Sequence, residues 1–351
     1  VKIHHILDSL GVGGAEKLVA ALAAEQVGRG HEVTVHSLHG TGPMQRALEQ
    51  AGARVAAHRE PGTAMLIRRL REALAAARPD VVHCHNLHAT VTGAPAARLS
   101  GVRRIISTRH GSLRTTFMRE AKFWTAALAC RWVAAVSEVA REGLASFPFS
   151  MRRKLVVVEN GAVLAEGEGD APPPRGTEFV IVSVGRLVPE KDYPLMIAAL
   201  AELRRTMPEA RLRIAGEGAA RGAVEEAIAR HGLGGAVLLA GFQGNVREWL
   251  READLFCLSS RTEGLPVALL EAMAAGLPAV VTDAGGMGVV VRQARCGIVV
   301  PRGGAAALAA ALEELARDEP RRLEMGRRAR AAFEARYTIA RMAGEYEKLY
   351  G

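Results

Sequence analysis

SSRTEGLPVALLEAMAA, residues 259–275, decides how this chain is read. It holds two glutamates, Glu263 and Glu271, with a Gly-Leu-Pro turn after the first and an apolar run around the second. Pro266 suits the first turn of a helix, where its missing N–H would be unpaired anyway. Glu263 is then expected in the loop ahead of a helix N-terminus, and Glu271 about one and a half turns inside it. Backbone N–H groups at such a start suit an anion, and carboxylates nearby suit hydroxyls. A nucleotide-sugar carries both.

Outward from this stretch, strand-like runs alternate with amphipathic helical runs. Residues 1–7, 31–38, 53–57, 80–84, 104–107 and 132–137 read as strands of a first half. Residues 179–184, 211–215, 236–240, 255–258, 279–282 and 297–300 read as strands of a second. Helical runs at 305–317, 321–336 and 339–349 close the chain. Such alternation predicts parallel sheets covered by helices. Between the halves, EGEGDAPPPRGTE at 166–178 is rich in Gly, Pro and acid, as a linker should be. The expected fold is α/β with two Rossmann-like domains, and 351 residues suffice for two cores.

The composition, 49% apolar and 24% charged, is that of a soluble globular protein. No apolar run is long enough to predict a membrane-spanning helix. The first residues read as a strand and not as a secretory signal. Four scattered cysteines without a CxxC pair argue against a disulfide framework or zinc site and fit a reducing cytoplasm.

The formal charge is +9, and 22 basic against 15 acidic residues fall before residue 171. Two readings of this excess stand: an anionic partner, either a membrane surface or a phosphorylated acceptor, or an Arg-rich genome. Residues 98–131 hold eight basic side chains and one acid, Glu120. A helix is expected over 112–131, with Phe117, Ala121, Trp124 and Leu128 on one stripe and Arg119 and Lys122 broadly opposite. Such a helix can lie on an anionic membrane; burial of the stripe against the sheet is the plainer reading. Few aromatics and no reading module argue against nucleic acid.

Three more turns carry candidate chemistry. Gly11-Val12-Gly13-Gly14 joins a strand to a helix, and glycine lets backbone approach a phosphate. Glu16 stands where a dinucleotide fingerprint needs its third glycine, which weakens a dehydrogenase reading. Gly185-Arg186-Leu187-Val188-Pro189-Glu190-Lys191 follows the first strand of the second half, where Arg186 and Lys191 could reach an anion. Gly216-Glu217-Gly218 ends another strand and could meet a base or ribose. His83, His85 and His88 invite a metal reading, but their spacing does not match a zinc pattern. Loop histidines lining an acceptor cleft are the preferred reading.

In this order the pieces resemble retaining family-4 glycosyltransferases of the GT-B fold, over nearly the whole chain. The carriers are Gly13-Gly14-Ala15-Glu16, Asn160-Gly161, Gly185-Arg186 with Lys191, Ala215-Gly216-Glu217-Gly218, and Glu263-Gly264-Leu265-Pro266 through Glu271. The resemblance implies an N-terminal acceptor-binding domain (1–165), a C-terminal donor-binding domain (166–336), a cleft between them, and a last helix (337–351) crossing back onto the first. It implies that Arg186 and Lys191 neutralise the pyrophosphate and that Glu271 bonds the ribose hydroxyls. Glu263 would contact the donor sugar, and Gly264 and Leu265 would hold oxygens through their N–H groups. Gly13 and Gly14 would meet the phosphates. Gly185, Gly216 and Glu217 complete the donor set, and His110 matches a histidine near the sugar C6 hydroxyl.

Two departures stand out: Asn160-Gly161-Ala162-Val163 lacks an acid common after Asn-Gly, and Gly285-Gly286-Met287-Gly288-Val289 replaces a Gly-Gly-x-Pro-Glu run. No Asp-x-Asp occurs, so no metal or other cofactor is expected. The expected function is transfer from a nucleotide-sugar, UDP-linked in preference to GDP-mannose, to a saccharide or lipid-linked acceptor in the cytoplasm or on the inner face of its membrane. The alternatives are a GT-B sugar-nucleotide epimerase and a non-catalytic sugar-nucleotide-binding module.

Overall fold

The structure, a computed structural model, describes residues 1–11, 13–111, 116–145, 149–163 and 178–351. Val12, residues 112–115 of the expected basic helix, and the expected linker up to residue 177 lie outside the described residues. The chain divides into two compact units, Val1–Gly161 with Ile339–Gly351, and Ala162–Thr338.

In the first unit the strands are β1 (Lys2–Leu7), β2 (Glu32–Ser37), β3 (Arg54–Ala57), β4 (Val81–His85), β5 (Arg104–Arg109), β6 (Trp132–Ala135) and β7 (Leu155–Val157). They pair in the order β3-β2-β1-β4-β5-β6-β7, all parallel. In the second they are β8 (Phe179–Val184), β9 (Ala210–Ala215), β10 (Val237–Leu239), β11 (Leu255–Leu258), β12 (Ala279–Thr282) and β13 (Gly297–Val300). Their order is β10-β9-β8-β11-β12-β13, again all parallel. Each order reverses once, at β1/β4 and at β8/β11. Ligands of such sheets gather beyond the carboxyl ends of the strands at that reversal.

Parallel strands buried on both faces read as apolar runs. FVIVSV of β8 and AVVT of β12 obey this, and Ile181, Leu212, Ile197, Leu200, Leu308 and Leu312 form the core between sheet and helices. The central strands of the first unit do not. KIHHIL and VVHCH place His4, His5, His83 and His85 at 3% exposure or less. Buried imidazoles need hydrogen-bond partners.

The helix Asn86–Leu99 contradicts its local propensity, since it contains Gly93 and Pro95. Tertiary packing explains Gly93: a Cβ there would lie 2.6 Å from Ile6 Cδ1 and 2.8 Å from Cys84 Sγ. The last helix, Ile339–Tyr350, belongs to the first unit and packs on the helix Gly14–Gly28, burying Tyr346 and Tyr350. All four cysteines are free and buried. No helix among the described residues is long and apolar enough to cross a membrane.

The basic helix departs from its expected stripe. It runs Phe117–Ala127 and buries Glu120, Phe123, Trp124, Ala126 and Ala127. Phe117 and Leu128, expected inside, are 81% and 61% exposed. The cause is a buried fork: Arg109 on β5 donates through both terminal nitrogens to the Glu120 carboxylate at 3.0 and 3.1 Å, and its guanidinium covers the Phe123 ring. Desolvated charges need this pairing, so Glu120 turns the helix about its axis.

Glycines interlock the turns of the second unit. A Cβ on Gly216 would lie 1.9 Å from the Gly185 carbonyl oxygen, a backbone atom with little freedom to yield. Gly216→Ala is therefore expected to destabilise the second unit by about 2 kcal/mol or more. Denaturant unfolding measures this, and an unchanged midpoint would refute the interlock.

Candidate functional site

The carboxyl ends of β8, β9, β11 and β12 converge on one side of the second sheet, and the quoted stretch follows β11. Glu263 is 13% exposed and Lys191 16%, and Lys191 Nζ donates to Glu263 Oε1 at 2.5 Å. Ser260 Oγ donates to the same oxygen at 2.7 Å. Ser260 is itself held, because Thr282 on β12 donates to its carbonyl at 2.6 Å. Ser259 fixes the other side by donating to the carbonyls of Lys191 and Asp192, each at 2.9 Å. Asp192 then pairs with Arg261 at 2.8 Å. Sequence reasoning found Lys191 and Glu263 but missed this support. The serine pair at the start of the quoted stretch was its available signal.

The two glycines of the Gly285-Gly286 departure pack against the loop that carries Glu263. Gly285 has φ +58°, and a Cβ there would lie 1.8 Å from the Glu263 carbonyl oxygen. Gly286 N–H donates to the Gly264 carbonyl at 2.8 Å. Two backbones therefore clamp Glu263 and Gly264 in place.

The other residues of the expected donor set lie on the same unit or on the first. Pro266 caps the helix Val267–Ala274 from outside, with an extended ψ of 127°, and so does not occupy its first turn as expected. Leu265 is buried, and Glu271 is half-buried on that helix. Gly185 abuts Lys191: a Cβ there would lie 3.3 Å from Lys191 Cε. Arg186 is exposed. Glu217 is exposed and pairs with Arg221 on the surface at 2.5 Å, which leaves it outside the Lys191–Glu263 group.

Gly13, Gly14 and His110 belong to the first unit. Gly13 caps the helix Gly14–Gly28, and the Glu16 carboxylate folds over it, 2.2 Å from where a Cβ would stand. His110 follows β5, and its backbone N–H donates to Asn86 Oδ1 at 3.1 Å. Asn86 takes a left-handed φ of +71° to reach it.

The histidine reading needs correction. His83 and His85 are not loop residues lining a cleft; they are buried within β4 because their ring nitrogens are bonded inside the unit. His88 alone is half-buried, 3.6 Å from Asp8. One chain runs from Gln26 Oε1 to His5 Nε2 (2.7 Å), His5 Nδ1 to His85 Nε2 (2.9 Å) and His85 Nδ1 to His110 Nε2 (3.0 Å). A branch runs from Tyr350 to His83 Nδ1 (2.9 Å), then from His83 Nε2 to Thr108 (2.7 Å) and on to Tyr346 (2.9 Å). His5, His83 and His85 lie close enough together to hold a metal ion. Each of their ring nitrogens already has a hydrogen-bond partner, however, and the cluster has no carboxylate, so a dication would sit uncompensated in a dry core.

Burial holds these imidazoles neutral. It lowers His4, His5 and His110 to about 4, and His36, His83 and His85 well below the ordinary value. At His110 a side-chain hydrogen bond with Asn160 partly opposes the effect of burial and favours the charged form.

Residues 12–166 match the family model for Glycosyltransferase Family 4, and residues 169–332 match Glycosyl transferases group 1. The alpha-D-kanosaminyltransferase of Streptomyces kanamyceticus is 31% identical over 176 residues, 48% of this chain and 46% of that protein. The Escherichia coli UDP-Gal:alpha-D-GlcNAc-diphosphoundecaprenol alpha-1,3-galactosyltransferase is 28% identical over 245 residues, 63% of this chain and 62% of that one. The chain thus spans about half to two thirds of these relatives. The solved structure of HepE from Anabaena in complex with UDP-glucose superposes with a TM-score of 0.85 at 20% identity, over 99% of this chain and 98% of that one. It shares the GT-B fold.

The buried histidines make stability depend on pH. The unfolded chain takes up protons near the ordinary 6.5, while folded His5 and His110 stay neutral down to about 4. The unfolded state therefore binds more protons between those values, and stability rises with pH across that window and levels off above it. Lowering the pH from 7.5 to 5 is expected to cost about 2 kcal/mol for each of these two residues. Thermal melts of the protein at both pH values check this, and equal midpoints would contradict it.

Proposed function

We propose that this chain, which belongs to the group 1 and family 4 glycosyltransferases, moves a sugar from a nucleotide-sugar to a saccharide or lipid-linked acceptor, with retention at the anomeric carbon and without a metal. One observation carries the reading: Lys191 and Glu263, joined by a 2.5 Å ion pair, stand beyond the sheet where β8 and β11 reverse the strand order. A half-buried cation supplies charge for a diphosphate, and a fixed carboxylate supplies acceptors for sugar hydroxyls.

In this reading Arg186 and Lys191 neutralise the leaving diphosphate together with the N-terminus of the helix Val267–Ala274. Gly264 and Leu265 contribute backbone N–H groups, and Glu271 takes the ribose hydroxyls. Glu263 positions the sugar and does not attack it. The acceptor hydroxyl oxygen bonds to the anomeric carbon on the face from which the diphosphate departs, and its proton passes to the departing phosphate oxygen. A UDP-sugar is favoured because HepE is solved with UDP-glucose and the E. coli relative is named for UDP-Gal. That relative's diphosphoundecaprenol acceptor also supports a lipid-linked acceptor here.

A lipid-linked acceptor gives the basic helix a use on the inner face of a membrane. Phe117 and Met118 are 81% and 65% exposed beside exposed Arg119 and Lys122. Apolar insertion and cationic attraction together bind an anionic surface.

Transfer from labelled nucleotide-sugars tests the chemistry. Glu263→Ala is expected to lower turnover by roughly 10²-fold or more, and wild-type turnover is expected to persist in EDTA. Near wild-type turnover of the variant would refute the Glu263 role, and complete loss in EDTA would refute the metal-free route. Donor consumption without any acceptor would favour an epimerase, and binding without turnover a non-catalytic module. For the membrane, vesicles containing phosphatidylglycerol are expected to sediment the protein at low salt. The double variant Phe117→Ser/Met118→Ser is expected to stay in solution, and equal sedimentation of both forms would remove the helix from the docking surface.

A further inference from the structure

The amino ends of the first sheet divide into two halves of unlike charge. Around β1, β2 and β3 the basic residues are paired: Lys2 and Arg54 both bridge to Glu32, at 3.5 and 3.1 Å, and Asp80 accepts from the Lys2 backbone N–H. Around β5, β6 and β7 the balance is lost. The segments that enter these strands, 98–104, 128–132 and 151–154, hold seven basic residues and no acid. Arg104, Arg131 and Arg153 are exposed and make no ion pair among the described residues. Arg230, Arg317 and Arg328, exposed like them, each pair with a glutamate.

Strand register sets these three arginines in a row. Ile106 pairs with Trp132 and Val133 with Leu155, and the Arg131 N–H donates to the Ile105 carbonyl at 2.7 Å. Continued toward the amino ends, the same register places Arg131 beside Arg153 on one side and within one residue of Arg104 on the other. At about 4.8 Å per strand the row spans roughly 10 Å. Lys154 pins it: its ammonium donates to the carbonyls of Leu128 and Cys130, at 2.9 and 2.8 Å, and ties the start of β7 to the turn before β6. Like charges held this close repel, so an anion that spans the row stabilises it.

Two exposed leucines flank the row, Leu99 at the end of the helix Asn86–Leu99 and Leu128 just after the helix Phe117–Ala127. Met118, Lys122, Thr125 and Leu128 are all exposed, at the spacing of one helix face. That face leads from the first turn of the helix to the row, about 15 Å away. Exposed cations with apolar side chains between them fit phosphodiester headgroups above acyl chains. We propose that the arginine row at the amino ends of β5, β6 and β7 binds the headgroups of anionic phospholipid. The helix Phe117–Ala127 then lies on the membrane along its whole length, held at its far end by Arg104, Arg131 and Arg153. This rests on the membrane reading of that helix and not on the transfer chemistry.

The test is a binding titration of the full chain at low salt with vesicles of phosphatidylcholine and phosphatidylglycerol. Arg104→Gln/Arg131→Gln/Arg153→Gln is expected to bind them roughly a hundredfold more weakly than wild type, at about fivefold for each cation near such a surface. The charge-matched Arg230→Gln/Arg317→Gln/Arg328→Gln is expected to bind as wild type does. Because the four native cysteines are buried, Leu128→Cys offers one thiol to an environment-sensitive dye, whose emission is expected to shift to the blue on these vesicles. Equal binding of the row variant and wild type, equal weakening of both triple variants, or a dye that does not respond while the protein binds would overturn the row and leave the Phe117 contact standing. No binding of the wild type would overturn both. Wild-type binding to a DNA duplex at the same salt, as tight as to the vesicles and lost in the row variant, would assign the row to nucleic acid and overturn the lipid partner.

Discussion

Gly285 comes so close to the carbonyl of Glu263 that no side chain fits between them, and the candidate site of the second unit depends on that contact. A carboxylate can act on a sugar only if its own backbone does not move. Here the loop after β12 clamps the loop after β11 through Gly285 and the Gly286 hydrogen bond, while Ser260 and Lys191 hold the side chain. Gly216 closes on Gly185 in the same way beside Lys191. Glycine serves at both places because two peptide units meet face to face, a stricter requirement than flexibility. The result is a preorganised group whose charge is placed before any ligand arrives, and electrostatic preorganisation is worth most where water is excluded.

The first unit solves a different problem. A parallel sheet covered on both faces has no water to offer its side chains, yet β1 and β4 carry four buried imidazoles. Those of His5, His83 and His85 bond to one another, to Gln26, to Thr108 and to the tyrosines of the last helix. That helix closes the network as well as covering apolar surface. Tyr350 and Gln26 are 324 residues apart in sequence and bond directly. Such a network is stable only when every member is satisfied. This ties the ordering of the sheet, the last helix and the loop of His110 together.

Much of the fold was legible in the chain. Strands 179–184, 255–258, 279–282 and 297–300 were read with their observed bounds, because apolar runs between turn residues mark a fully buried parallel strand. Lys191 and Glu263 were legible as chemistry from residue type and position after strands. Ser260, Thr282 and Gly285 were not, because their contribution is to hold a neighbour and nothing in their local sequence says which. The basic helix was misread for the same reason. Its periodicity admits two apolar faces, and the choice between them was made by Glu120 reaching Arg109, eleven residues away on β5.

The sequence by itself determined the alternating α/β architecture, the two halves, the glycine-bearing turns at strand ends and the types of charged group near them. These follow from local periodicity and from what each residue type can do with its backbone. Tertiary structure alone decided which side chains met. Lys191 and Glu263, the first pair of the candidate site, became partners across 72 residues, and His5, His85 and His110 became one hydrogen-bonded chain across 105. Hydrogen bonds and ion pairs act over about 3 Å, whereas sequence patterns specify only which face a residue occupies. The register of neighbouring strands and the close approach of glycine backbones convert the one into the other.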